Sequence, residues 1–253
     1  MPARLALVCV TLLTASQWTA PATAAETVVL TTTEWPPYSG ATIAGQGAMS
    51  VILKEAFSRV GITLEVQVLP WRRAIEQARK GTDAIGYFPG YHCDHLPGFA
   101  ASEPLGIGPL GFAENLENPI TWSSVGELGE QGLRIGTVRG YANTEEFDQK
   151  VGQGWIRAVP AQTDTANLAA LARGRVDAAV VDSRVLRYLL QTDPDLMPYR
   201  DTIRFDERPL DIKTLHACFL AGADGDATRR QLDAGLAEIS ADALLDDYLK
   251  AME

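Results

Sequence analysis

The apolar and polar positions along the chain fall into a repeating rhythm of strand and helix. Thr27 to Thr33 is a β-branched run that stops at Glu34-Trp35-Pro36-Pro37-Tyr38-Ser39-Gly40, where two prolines forbid both a helix and a central strand. Met49, Ile52, Leu53, Phe57 and Val60 then recur at helical spacing, Gly61 supplies the stop, and Ile62 to Leu69 reads as the next strand. Trp71 to Lys80 reads as a second helix closed by Gly81, and Ala84 to Phe88 as a short buried strand. A polar, proline-containing stretch from Asn115 to Trp122 interrupts the rhythm. It restarts with strands at Leu133 to Val138, Ile156 to Val159 and Ala178 to Val181, alternating with helices near Thr144 to Lys150, Thr163 to Arg173 and Arg184 to Gln191. The tail adds strands at Ile203 to Phe205 and Thr214 to Leu220, then helices around Thr228 to Ile239 and Ala241 to Lys250.

These elements predict an α/β chain of two lobes, each a mixed sheet flanked by helices. The tail is too short for a third domain, so it returns to the first lobe. The expected division is residues 26–113 with 206–253 in lobe 1 and 114–205 in lobe 2, joined by two crossover strands that act as a hinge. A cleft at the carboxyl ends of both sheets is the expected ligand site.

Residues 1–25 read as a secretory signal peptide: a basic start at Arg4, an apolar run from Leu5 to Leu13, and the small-x-small site Ala22-Thr23-Ala24. The expected location is therefore the periplasm, an oxidising compartment. The net charge of −10 repels phosphate backbones and anionic membranes, so nucleic acid is excluded as the expected partner. Loss of Arg4 with the leader makes the mature chain one unit more acidic. No G-x-S-x-G, P-loop or H-E-x-x-H motif is present, and no cofactor is expected.

Several spaced pieces carry a resemblance: WPPYSG after the first strand, LPWRRAIEQARKGTDAIGYFPG around the second helix, SEPLG, RIGTVRG at the start of the second lobe, and LARGRVDAAVVDSRVLRYLL closing it. In their order and spacing the mature chain resembles the periplasmic solute-binding proteins of polar amino acid ABC importers, bacterial extracellular solute-binding protein family 3, with the type II two-lobe fold. The resemblance implies a monomeric binding protein, not an enzyme, that captures a small polar amine-bearing or amino-acid-like solute and passes it to an ABC importer permease. It also implies an arginine clamp for the α-carboxylate, twelve positions after Asp83 and seven before Ser102, but both counts land on His95, and His95 and Ser102 stand as candidate ligand contacts there. It places an acid for the ligand ammonium five positions after Asp177, at Asp182; an Asp there also suits a helix N-cap. The stretch after the R-x-G-x strand, where the family holds the carboxylate, carries Arg139 and Tyr141 here, and Arg139 is a candidate replacement cation. Trp35, Tyr38, Trp71 and Tyr87 follow strands and are candidate cleft aromatics, with Arg72 a candidate partner for a ligand acid.

His92-Cys93-Asp94-His95 and His216-Ala217-Cys218 gather the histidines and the two cysteines beyond the leader. A Cys93–Cys218 disulfide, a Zn or Cu site, and unrelated free thiols are the alternatives. Two other functions stay open: an accessory or sensor protein with an eroded ligand site, favoured if the cleft is narrow or filled by its own side chains, and a cyclohexadienyl dehydratase-like enzyme using Glu34, Glu103 or Asp182 as acid.

Overall fold

The computed structural model describes residues 26–91, 93 and 96–252. The expected leader, together with His92, Asp94 and His95, lies outside the described residues.

Lobe 1 opens with β1 (Glu26–Thr32), followed by α1 (Ala48–Arg59), β2 (Ile62–Val68), α2 (Trp71–Lys80), β3 (Gly86–Gly90) and the short β4 (Phe99–Ala101). β1 pairs in parallel with both β2 and β3. α1 buries Met49, Ile52, Leu53 and Phe57, the stripe that the sequence spacing predicts. α2 stops at Gly81, whose left-handed backbone (φ 67°) closes the helix through its N–H to the Ala78 carbonyl.

The chain then crosses on β5 (Gly106–Asn115). Lobe 2 comprises α3 (Val125–Glu130), β6 (Arg134–Val138), α4 (Glu145–Gly152), β7 (Arg157–Ala161), α5 (Asp164–Ala172), β8 (Ala178–Asp182), α6 (Ser183–Thr192) and β9 (Ile203–Phe205). β10 (Asp211–Leu220) carries the chain back, and α7 (Ala223–Leu236) and α8 (Ala241–Lys250) pack on lobe 1, where Gly235 of α7 lets its backbone approach Ala56 of α1.

β5 and β10 belong to both halves of the molecule. Asp211–Leu215 of β10 pairs antiparallel with Gly106–Leu110 of β5, while His216–Leu220 pairs with β3 and β4 of lobe 1. The far half of β5 pairs with β8 and β9 of lobe 2. One sheet path, β2-β1-β3-β10-β5-β8-β6-β7, thus runs through both lobes and bends at the crossover pair. This is the type II two-lobe periplasmic binding protein fold. No helix among the described residues is long and apolar enough to cross a membrane.

Candidate functional site

Strand ends and helix starts from both lobes meet in the cleft. β1 delivers Thr33 and Trp35, the start of α2 delivers Trp71, the end of β3 delivers Pro89, Gly90 and Tyr91, and the loop after β6 delivers Tyr141 and Ala142. They line a half-open cavity with room of about 40 Å³. A single water needs roughly 10–15 Å³ on that measure, so the space suits only a few heavy atoms.

The lobes bond directly to one another around this cavity. The Tyr38 hydroxyl of lobe 1 lies 3.1 Å from both carboxylate oxygens of Asp182 in lobe 2. The Trp71 indole N–H donates to the Gly140 carbonyl at 3.0 Å. The Arg184 guanidinium reaches the Ile107 carbonyl on the crossover strand and the Tyr38 hydroxyl. Trp35 stacks on Tyr38 with centroids 4.6 Å apart, and Tyr91 meets Trp35 edge to face. Trp71 meets Tyr141 in the same way across the cleft.

Two acids stand behind these rings. Asp182, 1% exposed, caps α6 by accepting from the Arg184 and Val185 N–H groups at 2.8 and 3.2 Å. Burial raises its carboxyl to about 6 against the lowering pull of these bonds and of Tyr38. Asp164, the first residue of α5 and 7% exposed, accepts the Tyr141 hydroxyl at 3.2 Å. Burial raises it to about 7, and the Asp182 charge adds to the rise. Burial and these acids also hold the Tyr38, Tyr91 and Tyr141 phenols well above their ordinary value. All three hydroxyls are therefore protonated donors at neutral pH.

Of the sequence candidates, Trp35, Trp71 and Tyr141 line the cavity, and Tyr38 and Asp182 form the interlobe bond behind it. Arg72 and Arg139 are exposed and stand outside the lining. Ser102 is buried in lobe 1, where its hydroxyl donates to the Glu103 carbonyl and accepts from the Ala217 N–H. Tyr87 is fully buried between Trp71 and Phe99, behind the lining and not part of it. Glu34 and Glu103 are exposed and outside the cavity. Asp164 and Tyr91 are site residues that the sequence reading did not single out. Asp164 left only the signal of an acid following the capping Thr163, while Tyr91 follows a strand whose end lies two residues beyond its expected position.

Cys93 and Cys218 are joined, with Cα atoms 5.4 Å apart and 125 residues between them in sequence. The bond fixes the loop after β3, which begins with Tyr91, to β10. Among the described residues no cluster of His, Cys, Asp and Glu could hold a metal ion. His216 instead hydrogen-bonds the Ser102 carbonyl and the Thr214 hydroxyl.

No sequence-family model and no curated protein matches the chain. Solved structures do match, as two-lobe binding folds. A histidine kinase sensor domain with similarity to periplasmic binding proteins is 17% identical, covering 89% of this chain and 95% of that one, with a TM-score of 0.72. The VFT2 domain of Bordetella pertussis BvgS is 15% identical, covering 90% and 93%, with a TM-score of 0.68. An arginine transport system periplasmic binding protein from Legionella pneumophila is also 15% identical, covering 89% and 99%, with a TM-score of 0.68.

Proposed function

We propose that the chain is a periplasmic, monomeric two-lobe binding protein that captures a small amine-bearing solute between its lobes and presents it to the membrane permease of an ABC importer. The carrying observation is the cavity itself: aromatic rings contributed by both lobes, carboxylates behind them, and no guanidinium among the described lining residues. A ligand that touches both lobes favours the closed arrangement by its differential affinity for it. This supports an amine over a free carboxylate as the recognised group, in keeping with His95 at the position of the expected arginine clamp. Similarity to transport binding proteins supports the importer role. Exposure of Glu34 and Glu103 and the commitment of Asp182 to Tyr38 and the α6 cap speak against a proton-donating enzyme.

A second reading, a sensor or accessory protein, is favoured by the direct Tyr38–Asp182 and Trp71–Gly140 bonds, which bridge the cleft with the protein's own side chains. A thermal-shift screen of the exported protein against amines, L-amino acids, small organic acids and divalent metals tests both. A melting temperature raised by amines, and not by common L-amino acids, is the expected outcome. Stabilisation by organic acids alone would overturn the proposal, and silence throughout would favour the sensor or accessory reading.

A further inference from the structure

We infer that the solute is a compact, fully substituted ammonium, an organic cation without N–H donors, held by cation–π contact between Trp35, Trp71, Tyr91 and Tyr141. This deepens the amine-binding proposal and rests on it. The four rings form two edge-to-face pairs, Trp35 with Tyr91 at 6.0 Å and Trp71 with Tyr141 at 6.1 Å. In an edge-to-face pair, the ring that points its edge at its partner keeps both of its own faces clear of that partner, and ring faces attract cations. Tyr38 covers one face of Trp35, so that ring offers the cation its other face alone.

The rest of the lining decides between kinds of ammonium. Pro89, Gly90 and Ala142 offer no side-chain acceptor, and outside the phenols Thr33 supplies the one side-chain hydroxyl among the described lining residues. A primary ammonium brings three N–H donors, and each one buried without a partner lowers affinity by roughly tenfold or more. A quaternary ammonium has none to satisfy. The negative charge reaches the cavity without presenting a carboxylate oxygen to it, because neither acid belongs to the lining. Asp164 sits behind Tyr141 and Asp182 behind Tyr38, each through a tyrosine hydroxyl. A phenol that donates to a carboxylate has a more electron-rich ring, which strengthens its attraction for a cation. Arg184 offsets part of the Asp182 charge at the Tyr38 hydroxyl, so Asp164 is the main counter-charge. The cavity volume of about 40 Å³ accommodates a headgroup of a few heavy atoms, in keeping with a trimethylammonium or tetramethylammonium.

Calorimetry on the exported protein at pH 8 tests this with four probes: tetramethylammonium, choline, methylammonium, and 3,3-dimethylbutanol, the neutral isostere of choline. Choline or tetramethylammonium is expected to bind at least tenfold more tightly than methylammonium and than the neutral isostere. Trp71→Leu is expected to lose tenfold or more, and Trp71→Phe less, with folding of each variant checked by its melting curve. Methylammonium binding as tightly as choline would overturn the quaternary assignment while leaving amine capture standing. Equal binding of the neutral isostere would reduce the site to an apolar pocket and overturn it as well. Failure of every amine and ammonium to bind would remove both this inference and the function on which it rests.

Discussion

Asp182 and Asp164 show how burial sets chemistry one residue at a time. Each accepts hydrogen bonds that favour its charged form, yet desolvation wins, and the carboxyls sit at about 6 and about 7. In the unfolded chain both return to near 4. Between about pH 4 and pH 7 the folded protein therefore holds protons that the unfolded chain has released, and stability falls as pH rises through that window. Cation capture needs the charged forms and gains over its upper part. The melting temperature is thus expected to be higher at pH 5 than at pH 8, with Asp164→Asn, which can still accept from Tyr141, flattening the difference. Thermal melts across this range check it, and an unchanged slope in the variant would place the titration elsewhere. Asp182 was legible through the resemblance, which counts five positions on from Asp177, and its place between a buried strand and a helix made the N-cap that it forms equally readable. Its bond to Tyr38, 144 residues away, leaves no local trace. Asp164 was hidden for the same reason: its burial comes from Tyr141 and the packing around it rather than from its neighbours in the chain.

At the scale of elements, the helices were the most legible, since α1 and α2 carry their apolar stripes and glycine stops in the sequence. The strands were less so. β3 was expected at residues 84–88 and lies at Gly86–Gly90, which moves the aromatic at its mouth from Tyr87 to Tyr91. β5 went unread because Gly106, Gly108, Pro109 and Gly111 argue against a strand in isolation. Its partners explain those glycines: a Cβ at Gly108 would collide with the Asp182 carboxylate, and one at Gly111 would lie 2.5 Å from the Phe205 ring. The link between the β3 loop and β10 carries its own prediction. Replacing both cysteines (Cys93→Ser with Cys218→Ser) removes a cross-link over 125 residues and is expected to cost about 2–5 kcal/mol in urea denaturation. A variant as stable as the parent would show that the bond does not constrain the unfolded chain.

For the whole molecule, the two-lobe arrangement could be read from the rhythm of elements and the interruption after residue 115, whereas the bonding between lobes could not. That bonding rests on Tyr38, Trp71 and Arg184, whose partners Asp182, Gly140 and Ile107 lie far from them in the sequence. Tyr38→Phe keeps the ring that stacks on Trp35 and removes the hydroxyl shared with Asp182. Small-angle X-ray scattering is expected to show a larger radius of gyration for this variant, as the population shifts toward separated lobes. An identical scattering profile would mean that the remaining contacts hold the lobes together alone.

The crossover pair has a mechanical consequence. β5 and β10 are hydrogen-bonded to each other over Gly106–Leu110 and Asp211–Leu215, so the two chain passages form one ribbon instead of two independent tethers. A ribbon two strands wide flexes easily across its flat face and resists shear within its plane, like a leaf spring. The lobes are thereby left to bend and twist about this ribbon while sliding past one another is resisted, and a solute that fits between them is registered by how far it draws them together.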